Sequence, residues 1–221
     1  MKTVPRETFP VLERESWLRH AFLLRIPGVD VQADRSVALS RLEDLHQSAI
    51  REEGFPTQKL VTAGQVHGGE VALADANTVS PVPGCDGLIT NDPGVVLGIY
   101  VADCGPIYLA DPLHRAIGLL HSGKKGTAAN ILRNGVEAMR QAFGTEPEDL
   151  IVQLGPCIRP PHYEIDFAAD IANQARMAGV GTWSDCGFCT ASDPEKYYSY
   201  RRENGRTGRL LAVLGLACHG H

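Results

Sequence analysis

The sequence predicts an α+β fold with mixed β-sheets in a single domain over residues 1–221, with 1–19 a short N-terminal extension. Short β-branched or aliphatic runs outnumber helical patterns. Several of these runs follow one another with only turns between them, unlike a regular βαβ winding. Glycine and proline are spread along the chain as punctuation, with no repeat, low-complexity tract or linker, and 221 residues can bury a substantial core.

In chain order, the first predicted strand is 20–26, beginning at His20. A helix follows from Ser36 to Glu53, with Val37, Leu39, Leu42 and Leu45 on one side and Gly54 as its stop. Strands are predicted at 59–62, 71–74, 95–101, 107–110 and 116–120, each bounded by Gly, Pro or Asp. A second helix is predicted from Thr127 to Phe143, where Ile131, Leu132, Val136, Met139 and Phe143 form an apolar stripe and Gly144 lies just beyond. Strand 150–154, a third helix from Phe167 to Ala178 with Asp166 as N-cap and Gly179 at its end, and strand 210–216 complete the set.

Composition narrows the function classes. Hydrophobic residues make up 43% and charged residues 21%, as in ordinary globular proteins. A net charge of −5 argues against a nucleic-acid surface but leaves room for a local basic pocket, and 6% aromatics cannot build a stacking platform for single strands. The first twenty residues have scattered charges and no apolar signal region, and no apolar run is long enough to cross a bilayer. A cytoplasmic protein is expected, with no membrane partner and its six cysteines as thiols or metal ligands.

Three segments end predicted strands with metal-competent side chains: GQVHGGEV with His67, VVLGIYVADCGPI with Cys104, and AIGLLHSGKKGT with His121. Strand ends on one edge of a sheet converge, so ligands distant in sequence can meet there. One thiolate and two imidazoles suit Zn²⁺, and three protein ligands leave a position for water or substrate. The gaps of 37 and 17 positions match no zinc finger. The structural alternative is two hydrogen-bonded core histidines and a buried small thiol.

GQVHG, CDGLITN, ADCGPI, HSGKKG, GPCIRPPHYEI and YYSYRRENGRTGR occur in this order. Together they resemble the YfiH/DUF152 family, also called the multicopper polyphenol oxidoreductase or laccase-domain family. The resemblance runs from about residue 20 to about residue 216, nearly the whole chain. It implies a compact α/β/β/α layered fold and zinc ligands at His67, Cys104 and His121. It also implies purine nucleoside phosphorylase activity on inosine, adenosine and guanosine, with adenosine deamination and methylthioadenosine phosphorolysis as side activities. Laccase-like copper oxidation is an older attribution of the family, and correction of misbuilt peptidoglycan precursors has been linked to it. Two positions depart from the family motifs. Lys124 stands where Trp is usual, which bears on substrate choice more than on metal binding, and Cys85 stands where Ala is usual.

Among the neighbouring residues, HSGKKG sits between a strand and a helix, so backbone N–H groups and Lys125 form a candidate phosphate site, with Arg25 a second candidate. Asp86 and Asp103 are candidate proton carriers or partners of a metal-bound histidine, and Gln65 is a candidate substrate contact. The alternatives are a turn role for Asp86 and solvated surface roles for Lys125 and Gln65. Arg201 and Arg202 are expected to pair with carboxylates and hold the last strand. Cys186 and Cys189 form a C-x-x-C with no second such pair, and His219 and His221 could join it only by folding back. The expected partners are purine nucleosides and phosphate, and the expected state is a monomer or small homo-oligomer. A Cys–His hydrolase acting on peptidoglycan precursors, with Cys104 as nucleophile and His121 as base, is the main alternative. A copper-dependent polyphenol oxidase is the other, although a multicopper centre needs more well-placed imidazoles than eight histidines provide.

Overall fold

A computed structural model describes residues 4–55 and 58–217. In order the elements are β1 (Arg6–Glu7), α1 (Pro10–Glu13), β2 (Leu18–Leu23), α2 (Arg35–Glu52), β3 (Lys59–Thr62), β4 (Val71–Leu73), β5 (Gly87–Thr90), β6 (Val95–Val101), β7 (Gly105–Asp111), β8 (Ala116–Ser122), α3 (Lys124–Ala128), α4 (Ile131–Phe143), β9 (Ile151–Leu154), α5 (Phe167–Ala178), β10 (Thr182–Asp185) and β11 (Leu210–Leu216). The strands form two sheets, one ordered β1-β2-β11-β6-β3 and the other β10-β9-β7-β8-β5-β4. Both are mixed: β3 is parallel to β6, β4 to β5 and β10 to β9, while the other pairings are antiparallel.

Strand alternation explains the layering. Along β7, Tyr108 and Ala110 join the core shared with the first sheet, whereas Ile107 and Leu109 join the core under α4 and α5. On β8, Ile117 and Leu119 take the first side and Leu120 the second. The six-stranded sheet is thus buried on both faces, which is why its central strands read as continuous apolar runs. Ala38, Leu42, Ala49 and Ile50 of α2 cover the five-stranded sheet. The result is the α/β/β/α arrangement that the resemblance implied. Residues of the N-terminal segment contribute to it, since Phe9, Leu12 and Trp17 are buried in the first core.

Three differences from the sequence reading matter for the site. The long helix expected from Thr127 is two helices, because Asn130 adopts a left-handed conformation (φ 57°, ψ 39°) that Asn tolerates better than most residues. Asn134 fixes this break by donating from Nδ2 to the carbonyls of Ala129 and Gly69. The unexpected strand β5 lies buried between β4 and β8, so CDGLITN is the entry to a core strand. β10 was also missed, as its TWSD sequence is polar and half exposed.

Two core histidines give a pH prediction. His20 accepts the N–H of Phe9 at Nε2, and His46 has no hydrogen-bond partner at either ring nitrogen among the described residues. Burial drives both from 6.5 down to about 4, opposed at His20 by Glu13. The unfolded chain therefore takes up protons at these residues between pH 6.5 and 4 while the folded chain does not. Stability should fall across that window, by up to roughly 3 kcal/mol per histidine. Urea unfolding at pH 7 and pH 4.5 measures it, and His46→Leu should flatten the loss; an unchanged pH slope in the variant contradicts this account.

Candidate metal centre

His67, Cys104 and His121 offer ligand atoms that all lie within 4.8 Å of one another, the one such group of three or more among the described residues. They do not come from one sheet edge, as the sequence suggested. β3 and β6 are neighbours in the first sheet, Cys104 lies where the chain crosses from β6 into β7 of the second, and His121 is within β8. The site sits at the junction of the two sheets. The imidazoles of His67 and His121 meet edge to face, with centroids 4.9 Å apart. His121 is buried and His67 exposed, so the group is anchored on one side and open on the other.

The surrounding backbone is held in costly shapes. Gln65, His67 and Asp103 all have left-handed φ values of 59°, 63° and 85°, a conformation L-residues with side chains seldom adopt and one that clusters at functional sites. Asp86 holds the first two turns. Its buried carboxylate accepts the N–H groups of Val66, His67 and Gly68 and contacts His121 Nδ1 at 2.8 Å. That bond leaves His121 Nε2 as the ring nitrogen for a metal. The Asp103 carboxylate is spent differently, accepting Thr190 Oγ1, Ser199 Oγ and the N–H of Arg201, which ties the C-terminal loop to the crossover.

Without a metal the group is a thiolate facing a protonated imidazole, and binding a metal would release the His121 proton. Burial opposes the Cys104 thiolate, but hydrogen bonds with His121 and His67 bring the thiol down to about 6. Burial likewise opposes charge on His121, yet Asp86 and Cys104 raise it to about 9. Burial also works against the Asp86 charge, and the His121 and Gly68 bonds more than offset it, leaving that carboxyl below its ordinary range. A thiolate beside imidazoles is a soft donor set that fits one divalent ion at bonds of about 2.0–2.3 Å. The same pair resembles an activated nucleophile and its base.

Gly123 explains one sequence requirement. A Cβ there would stand 2.5 Å from Cys104 Sγ, closer than real Cβ atoms approach. Gly123→Ala is expected to displace the sulfur and weaken metal binding by at least about tenfold. Competition with a chromophoric chelator measures this, and wild-type affinity in the variant would count against it.

The triad lines a cavity of about 680 Å³. Gln65, Asp103, Lys124 and Lys125 also reach it. The Gln65 amide is zipped to the backbone of Tyr100, with Nε2 donating to its carbonyl and Oε1 accepting its N–H. α3, at five residues, is too short for a strong dipole, so positive charge here rests on side chains. Arg25 is not brought to the cavity. Its guanidinium pairs with Glu203 at 2.7 Å, donates to the Tyr197 carbonyl and covers the Tyr198 ring. Arg201 pairs with Glu164 at 2.6 Å, whereas Arg202 bonds the Ala191 carbonyl instead of a carboxylate. Cys186 and Cys189 gather no third donor among the described residues, and His219 and His221 lie outside those residues.

Arg35, Arg209, Tyr163 and Tyr200 line the cavity without having been singled out in the sequence. Arg35 opens an ordinary amphipathic helix, and Arg209 ends a motif read as structural. A guanidinium immediately before the fully apolar strand β11, with no acidic neighbour in sequence, was the available signal.

Comparisons with known proteins speak to the family and the fold. The family model for multi-copper polyphenol oxidoreductase laccase matches residues 34–176 and 165–217. A purine nucleoside phosphorylase of Deinococcus radiodurans is 34% identical over 235 residues, covering 89% of this chain and 88% of its own. The crystal structure of YlmD from Geobacillus stearothermophilus is similar with TM-score 0.78 at 24% identity, covering 99% of this chain and all of that one. That of the hypothetical protein YfiH from Bacillus licheniformis gives 0.73 at 21% identity, covering 91% and 94%. At such identities the two structures speak for the fold alone. No helix among the described residues is long and apolar enough to cross a membrane. With its model matched over most of the chain, and with its fold and a His–Cys–His group in place, the chain belongs to the multi-copper polyphenol oxidoreductase laccase family, the YfiH/DUF152 family.

Proposed function

We propose that the protein is a zinc-dependent purine nucleoside phosphorylase, cleaving inosine, adenosine or guanosine with phosphate. Adenosine deamination and methylthioadenosine phosphorolysis are side activities of the same site. The observation that carries this reading is the His67–Cys104–His121 group open to a cavity with cationic and aromatic walls. The phosphorylase name of the Deinococcus relative supports it. A multicopper reading has less support, since the described residues gather donors for one ion only.

His67, Cys104 and His121 would hold the zinc, which supplies a Lewis acid beside the reacting groups. Lys125 positions orthophosphate by charge, and Tyr163 and Tyr200 offer faces for the purine. An oxygen of hydrogen phosphate forms the bond to C1′ as the C1′–N9 bond breaks. The bonding pair leaves with the base, which receives the proton phosphate brought. Asp86 and Asp103 are positioning residues: the first fixes the His121 tautomer, the second the wall carrying Arg201. We place the enzyme in the cytoplasm as a monomer or small homo-oligomer.

Metal-loaded protein is expected to release ribose 1-phosphate and free base from inosine only when phosphate is present. Base release that ignores phosphate would replace this reading with a hydrolase. The lowered Cys104 thiol favours a second reading, a Cys–His hydrolase with Cys104 as nucleophile, which predicts alkylation by iodoacetamide in the presence of zinc, whereas a metal-held thiolate is protected.

A further inference from the structure

Two cysteines far apart in sequence face each other across neighbouring backbones. β9 and β10 run in parallel, with Ile151 opposite Thr182 and Leu154 opposite Asp185. One residue of slip follows, and Cys157 then stands opposite Cys189 in an isolated parallel bridge. The Cys157 N–H donates to the Phe188 carbonyl at 3.2 Å, and the Thr190 N–H donates to the Cys157 carbonyl at 3.1 Å. Paired backbones lie about 4.8 Å apart, inside the Cα separation of about 4.4–6.8 Å that a disulfide spans. Paired residues also share a face, and both side chains join the core under α4 and α5.

In sequence Cys189 pairs with Cys186, as a C-x-x-C, but the fold parts those two. Cys186 packs against the first core, and burial holds its thiol up at about 11. Cys189 is half-buried, and its sulfur accepts the N–H of Arg159 at 3.4 Å. Cys157 is fully buried, and burial pushes its thiol well above the ordinary range. A small solute therefore reaches the Cys189 sulfur first, with Cys157 behind it. The next residue after each cysteine holds the crossover to the candidate metal centre. The Ile158 N–H donates to the Asp103 carbonyl at 2.8 Å, and Thr190 Oγ1 donates to Asp103 Oδ1 at 2.7 Å. Between the two cysteines in sequence lie Tyr163 and Phe167, which line the cavity.

We propose that Cys157 and Cys189 are a modification site, a pair of thiols that a peroxide joins into a disulfide. A peroxide oxygen bonds to the Cys189 sulfur as the O–O bond breaks, and the hydroxide released takes up the Cys189 proton as water. The Cys157 sulfur then bonds to the Cys189 sulfur, the S–O bond breaks, and the hydroxide leaves with the Cys157 proton as a second water. The two thiols lose two electrons and the peroxide gains them. The bridge closes residues 158–188 into a loop, so it staples the α5 wall of the cavity and the two groups that hold Asp103. Since the backbones already stand at bonding separation, the bridge fixes the present shape instead of distorting it.

The test treats the purified full chain with hydrogen peroxide, blocks the remaining thiols with iodoacetamide in denaturant, and maps peptides without reduction. Peptides joined through Cys157 and Cys189, lighter by two hydrogens and released by dithiothreitol, are the expected product. The oxidised protein should melt at least about 5 °C above the reduced one. Cys189→Ala and Cys157→Ala should each lose both the link and the shift, and Cys186→Ala should keep both. Because Cys189 is only half-buried, its variant tests the pair even if the change at Cys157 disturbs folding. A link from Cys189 to Cys186 or Cys218 overturns the inference. So does the absence of any link under peroxide that already oxidises the exposed Met177. A Cys157–Cys189 link that leaves the melting temperature unchanged or lower overturns the staple.

Discussion

Replacing Cys104 with alanine is expected to strip the metal from the protein and to lower kcat/KM for phosphorolysis by more than about a hundredfold. Two features make Cys104 decisive. It is the one anionic ligand of the three, and its thiol is already brought down to about 6 by His121 and His67 before any metal arrives. Without the sulfur, two imidazoles remain, and soft divalent ions bind such a pair far more weakly. The fold should survive, because Cys104 is only half buried at a crossover and its loss removes little core volume. Elemental analysis, steady-state kinetics and a thermal melt on one preparation separate these effects. A variant that keeps its metal and turnover would remove Cys104 from the centre.

Asp86 has the second largest expected effect, and it acts on stability as well as on the metal. Its fully buried carboxylate serves three backbone N–H groups and one imidazole. Asp86→Ala leaves those donors unmatched and releases the left-handed turn at His67, at a cost of about 3–5 kcal/mol. Asp86→Asn keeps the shape but turns an amide N–H₂ toward groups that themselves donate. It should fold, with metal affinity reduced about 10–100-fold. Urea unfolding and chelator competition on both variants check this. Alanine stability within about 1 kcal/mol of wild type would contradict the assigned role.

The candidate metal ligands were legible in the sequence because each was read at or just after the end of a predicted strand, and six ordered motifs reinforced them. Where they meet was not legible. The pattern of VVLGIYV and AIGLLHS says that both strands are buried, but not that they belong to different sheets. β5 was hidden because GLIT is short and follows a Cys-Asp pair that reads as a turn. The split at Asn130 depends on a hydrogen bond from Asn134 to Gly69, a contact between segments far apart in sequence. Arg25 looked like an anion ligand because its partner Glu203 comes from the distant end of the chain. Arg35 was passed over for the converse reason, since nothing local marks it, and at Arg209 the apolar strand that follows was the one local sign; the fold brings both to the cavity.

The most direct test of the central claim is X-ray absorption at the metal edge of the purified protein, with stoichiometry from elemental analysis. One zinc per chain, bound by one sulfur and two imidazole nitrogens with lighter ligands completing the shell, is the predicted result. A bound metal with no sulfur in its shell, or a protein that takes up no divalent ion after reconstitution, would contradict it.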